Sequence, residues 1–152
     1  MDFEEYKSVI SDAIKNEIEA KEFYAKISKK IKDPYLQGVF EKFSKEEEKH
    51  EIILNDILNQ GKLQRLHFDF EKDYKVSETI EMPEVNDEMD LKEAIALAMK
   101  SEEIAMKKYT SLAENCENPE LKAVFLDLAS MERAHKFKME QSFVDIAYTE
   151  VW

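Results

Sequence analysis

Cysteine occurs once in this chain of 152 residues, at Cys116, so neither an intrachain disulfide nor a four-thiolate metal site can form. Glycine occurs twice and proline three times, too few for an all-β fold built on tight turns. No apolar run approaches the roughly 18 to 20 residues that span a bilayer. The N-terminal Met1-Asp2-Phe3-Glu4-Glu5 is acidic and lacks a secretory signal pattern, so a reducing cytoplasm is the expected location. Basic residues are outnumbered: 22 Lys and Arg against 34 Asp and Glu leave a net charge of −12. Such a surface repels phosphate backbones and anionic lipid, so neither nucleic-acid binding nor membrane-surface binding is expected. With 43% apolar residues the chain is not compositionally disordered, and its length suits one domain over residues 1–152.

What is present is a repeat. Shifted by 85 residues, the chain aligns with itself without a gap between residues 10 and 50. Asp33-Pro34-Tyr35-Leu36-Gln37-Gly38-Val39-Phe40 meets Asn118-Pro119-Glu120-Leu121-Lys122-Ala123-Val124-Phe125. Ile10/Ile95, Ala13/Ala98, Glu17/Glu102, Ala20/Ala105, Tyr24/Tyr109, Glu47/Glu132 and His50/His135 keep the same offset.

Each half reads as two helices. Ile10, Ala13, Glu17, Ala20, Tyr24, Ile27 and Ile31 step by three and four residues, which is one face of a helix. The next helix opens at Asp33-Pro34, a capping side chain followed by a residue whose missing N–H is harmless in a first turn. Its stripe is Leu36, Phe40, Phe43, Glu47, His50, Leu54 and Ile57, with Gly61 as a stop. The second half repeats both stripes: Ile95 through Cys116, entered by an Asp90/Glu93 capping box, and Leu121 through Ile146. The prediction is an all-α four-helix bundle, with helix pairs over 3–60 and 91–147 joined by a crossover over 62–89. A helix of this length spans about 40 Å at 1.5 Å per residue, a distance that an extended segment of a dozen residues covers.

Six stripe positions contradict the pattern. Glu17, Glu47, His50, Glu102, Glu132 and His135 stand where apolar side chains belong, and the stripes hold no matching lysine or arginine. Four carboxylates taken out of water lose hydration and repel one another at several kcal/mol per unpaired ion. Two divalent cations would balance them. Glu47-x-x-His50 and Glu132-x-x-His135 each set an oxygen and a nitrogen donor one turn apart on one face, and each begins 30 residues after its partner, Glu17 or Glu102. A single ExxH on a charged helix means little; it is the conjunction at a fixed offset that argues for a di-metal site. Mixed carboxylate and imidazole donors suit iron or manganese, and zinc can also bind. Tyr24 and Tyr109 lie two turns beyond Glu17 and Glu102, placed to donate hydrogen bonds to ligating carboxylates. His67 falls in the crossover and reads as a surface or packing residue; Cys116, in a stripe slot, reads as packing.

At these residues the chain resembles the rubrerythrin branch of the ferritin-like superfamily. The carriers are Glu17 with Ala20 and Tyr24, Glu47-Glu48-Lys49-His50, Glu102 with Ala105 and Tyr109, and Glu132-Arg133-Ala134-His135. The resemblance implies a ferritin-like bundle holding two iron ions, bridged by Glu47 and Glu132, with Glu17, His50, Glu102 and His135 as terminal ligands. It implies a redox protein of peroxidase or ferroxidase type that reacts with hydrogen peroxide or dioxygen in oxidative stress; a non-catalytic or iron-handling metal bundle is the alternative. Two departures stand out. Two-domain rubrerythrins carry a rubredoxin domain, whereas this chain has no CxxC pair, so electrons would come from a separate protein such as a rubredoxin. They also carry an extra glutamate one turn after the third-helix ligand, where this chain has Ala105. A homodimer is expected from the resemblance and from the apolar tail Phe143 through Trp152.

Overall fold

A computed structural model describes residues 3–32, 34–60, 75 and 90–151. They form four helices: α1 (Phe3–Lys30), α2 (Pro34–Gln60), α3 (Leu91–Glu114) and α4 (Pro119–Val151), with no strand among the described residues. The predicted cap Asp33, stop Gly61, crossover 62–89 and His67 lie outside the described residues, as does the end of the apolar tail. α4 continues past residue 147 because neither glycine nor proline follows to stop it.

The chain divides into two compact units, Met1–Gln64 and Arg65–Trp152. In the first, α1 packs on α2 along the predicted stripes: Ile10, Ala13, Tyr24, Phe40, Phe43, Leu54 and Ile57 are all buried. Tyr24, Phe40 and Phe43 form a three-ring cluster, with the Tyr24 centroid 6.3 and 5.8 Å from those of Phe40 and Phe43 and the two phenylalanines 5.9 Å apart. Each of these rings is worth roughly 1.5–3 kcal/mol on burial. Polar side chains then stitch the pair together. Ser28 Oγ donates to the Gln37 carbonyl at 2.9 Å, Ser44 Oγ to the Lys21 carbonyl at 3.0 Å, and Lys21 Nζ to Glu51 at 2.8 Å. The Glu51 hydrogen bond is the main cause that raises Lys21 above the usual lysine value.

In the second unit α3 packs on α4. Asp90 caps α3 by accepting from the Glu93 N–H at 2.8 Å, as the capping box predicts. Asn118 caps α4 by accepting from the N–H groups of Glu120 and Leu121, with Pro119 in the first turn. The slots that correspond to Lys21, Ser28 and Ser44 hold Met106, Ala113 and Ala129, all buried, so apolar packing replaces the polar stitches.

Burial in this unit exceeds one stripe. Ala94 through Met99 are buried without interruption, and so are Glu103, Asp127, Ser130, Lys136 and Glu140. Polar residues enter this second face as compensated groups. Lys136 and Glu140, both 0% exposed, sit one turn apart with Nζ 3.4 Å from Oε1. Glu103 takes 2.8 Å bonds from Lys100 and Lys107 on its two oxygens. Burial pushes Glu103 up, but the hydrogen bonds from Lys100 and Lys107 outweigh it and hold the carboxyl below the usual range.

The sign of the resulting pH dependence follows. A carboxylate whose folded pKa is depressed adds stability that is present above its unfolded pKa and lost as pH falls through the folded one. Glu103→Gln is therefore expected to lose about 1–2 kcal/mol at neutral pH, discounted because Lys107 is largely exposed. The deficit should close below about pH 4. Urea melts of metal-free protein across this range check it; a deficit that persists in acid would place its origin in packing instead.

Candidate metal centre

The six residues singled out by the repeat sit in the helix middles. Glu17, Glu47, Glu102, Glu132 and His135 are buried, and His50 is partly so. Glu47 is 0% exposed. Their stripe phase puts them there: with aromatic and aliphatic neighbours one turn before and after on the same face, the helix cannot turn a carboxylate outward without exposing the core.

In the first unit α1 supplies Glu17 and α2 supplies Glu47 and His50. One donor atom from each lies within 4.8 Å of the other two. His50 Nδ1 is 3.6 Å from Glu17 Oε2 and 3.8 Å from Glu47 Oε2. In the second unit, His135 Nδ1 on α4 is 3.0 Å from Glu102 Oε1 on α3. Glu132 is buried one turn before His135 on the same helix.

The donor chemistry fits a first-row divalent metal. Oxygen and imidazole nitrogen bind zinc, for example, at about 2.0–2.2 Å, so two donors on one ion are at most about 4.4 Å apart. The three nitrogen–oxygen distances fall inside that limit. Carboxylate oxygen together with imidazole nitrogen is a donor combination that first-row divalent metals take. A buried cation, Lys136, lies in the second unit one residue after His135, off the stripe, and is shared with Glu140.

Tyr24 and Tyr109 are both buried, at 1% and 4% exposure, on the stripe faces of Glu17 and Glu102. Ala20 and Ala105 are half-buried. Glu103, next to Glu102 in sequence, has both oxygens committed to lysines. Cys116 is buried with Sγ 3.6 Å from the Asn118 carbonyl, a packing position. The buried charges of the second unit, Glu103, Lys136 and Glu140, escaped the stripe reading. Their signal was spacing: Lys136 and Glu140 are four residues apart, and Glu103 is three and four residues from its lysines.

The sequence model of the rubrerythrin family matches residues 8–142. A solved structure, that of a hypothetical protein from Pyrococcus furiosus, is similar at 31% identity and a TM-score of 0.63, covering 90% of this chain and 87% of that one. No curated protein matches the chain. No described helix is long and apolar enough to cross a membrane. With the family match covering residues 8–142, most of the chain, it belongs to the rubrerythrin family and has its all-α, ferritin-like fold.

Proposed function

We propose that this protein is a non-haem di-iron redox protein of the cytoplasm that reduces hydrogen peroxide or reacts with dioxygen. Glu17, Glu47, His50, Glu102, Glu132 and His135 would hold the two ions, with Glu47 and Glu132 as the shared carboxylates. The observation that carries the reading is the burial of four glutamates and a histidine at repeat-related helix positions, with a sixth donor, His50, at their edge. Bound iron would supply the two electrons that the oxidant takes up.

The chain's own residues do the rest. The four carboxylates would carry the negative charge that two divalent ions balance. The histidines offer neutral nitrogen from the ExxH turns of α2 and α4. The buried phenols of Tyr24 and Tyr109 would orient the carboxylates by donating hydrogen bonds. The buried rings of Tyr24, Phe40 and Phe43 pack together in the first unit's core. Ala105 and the committed Glu103 leave no extra carboxylate on α3 next to Glu102, which favours a ligand set that stays fixed between redox states. Electrons would be renewed by a separate donor protein such as a rubredoxin, and the working unit would be a homodimer.

Stopped-flow mixing of the diferrous protein with peroxide and with dioxygen tests the reaction. Oxidation by peroxide that outpaces oxidation by dioxygen is the expected result. Fast oxidation by dioxygen with turnover of added iron would assign iron handling instead. Inertness to both would leave a metal-stabilised bundle without catalysis.

A further inference from the structure

The two ExxH turns are related by the repeat, but their surroundings are not equal. The His50 side chain is 16% exposed and the His135 side chain 2%. His50 Nδ1 stands 3.6 and 3.8 Å from the carboxylates of its own unit, whereas His135 Nδ1 stands 3.0 Å from Glu102. The helices that carry them differ in the same sense. α1 and α2 are joined through solvent-reaching groups, Lys21 to Glu51 and Ser44 to the Lys21 carbonyl. The corresponding slots of α3 and α4 are Met106, Lys136 and Ala129, all buried.

A metal leaves a protein site when a ligand swings off and water or a chelator takes its place. A partly exposed imidazole such as His50 can do so with less repacking than a fully enclosed one. One enclosed on both helix faces must first open the core around it, and that opening is part of the barrier. Resting on the di-iron reading above, we propose that the two metal positions differ in exchange. The ion bound at His50 is the labile one, lost and regained through that partly exposed imidazole, and the ion bound at His135 is retained. The protein would then pass through a defined one-metal state, with the second unit loaded and the first open.

The test uses the full chain loaded with two equivalents of cobalt(II) as a coloured probe, then challenged with excess EDTA. Release is followed by absorbance and by metal content of desalted samples. Two phases of equal amplitude are expected, differing in rate by at least about tenfold, equivalent to 1.4 kcal/mol in barrier. His50→Ala should lose the fast phase and keep the slow one, and His135→Ala the reverse. Lys21→Met leaves every ligand in place and removes one stitch between α1 and α2. It should accelerate the fast phase several-fold and leave the slow phase alone. Release of both ions in one phase, or an accelerated slow phase in Lys21→Met, overturns the ranking while the di-metal reading stands. A parent protein that takes up fewer than two ions overturns both.

Discussion

Replacing Glu47 by alanine is expected to cut the metal content of the chain from two ions to one or none. Glu47 is completely buried in the middle of α2, one turn before His50 and within reach of both His50 and Glu17. As a shared carboxylate it would hold both ions, so its loss removes a donor from each and leaves a methyl-lined gap that water fills poorly. The remaining glutamates then keep their charge with less cation to offset it, and the affinity for a second ion falls with every uncompensated charge. Glu47→Gln separates charge from shape, since it keeps the volume and one acceptor oxygen but not the anion. His67→Ala should leave the content at two, because this histidine has no mate at the 85-residue offset. Metal analysis of protein purified without added metal, for the parent and the three variants, decides the matter. Two ions per chain in Glu47→Ala would show that the ligands lie elsewhere.

The second large effect is expected on removing the metal. An ion that binds only the folded chain stabilises it by mass action, about 4 kcal/mol when its free concentration is a thousand times Kd. For a chain near 150 residues each kcal/mol moves Tm by about 2–4 °C. Chelation should therefore lower the melting temperature by about 8–16 °C at neutral pH. Mild acid should narrow the gap from the loaded side, because protons compete with metal for carboxylate and imidazole donors and release the ions. Thermal melts with and without chelator, at neutral and mildly acidic pH, give four curves. If they coincide, the buried glutamates are being compensated by something other than metal.

How much of this was written in the sequence depends on which half is considered. The repeat exposed the two helix pairs, because a fixed offset carries the caps, the stripes and the misplaced acids together. Asp90 with Glu93 and Asn118 with Pro119 mark helix starts as legibly as Ile10 or Ile95 marks a core. In the first unit the stripe is nearly the whole core, and Glu17, Glu47 and His50 could be placed from spacing alone. The second unit was less legible. Hydropathy assigns a lysine or glutamate to water, yet Lys136 and Glu140 are enclosed because each offsets the other's charge. Glu103 is enclosed for the same reason, with Lys100 and Lys107. Alanine also carries little pattern: Ala94, Ala96 and Ala129 fit a buried face as readily as an open one. A one-stripe reading therefore describes a helix with one buried side and misses one with two. The difference in exposure between His50 and His135 was invisible for the same reason, since the repeat makes the two residues equivalent by position.

The solitary thiol offers a way to watch the second unit breathe. Cys116 sits just beyond the end of α3, buried, with its sulfur against the Asn118 carbonyl that also closes the first turn of α4. Motion of the α3–α4 turn should expose it further to an alkylating reagent, and no other sulfhydryl in the chain competes for the reagent. When reclosing outruns labelling, the alkylation rate reports the free energy of that opening under native conditions. Labelling that is slowed equally by metal and by stabilising solutes would mean that the turn opens only with the whole unit. Labelling indifferent to metal would mean that this end frays on its own, beyond the helix that carries Tyr109 and Glu102.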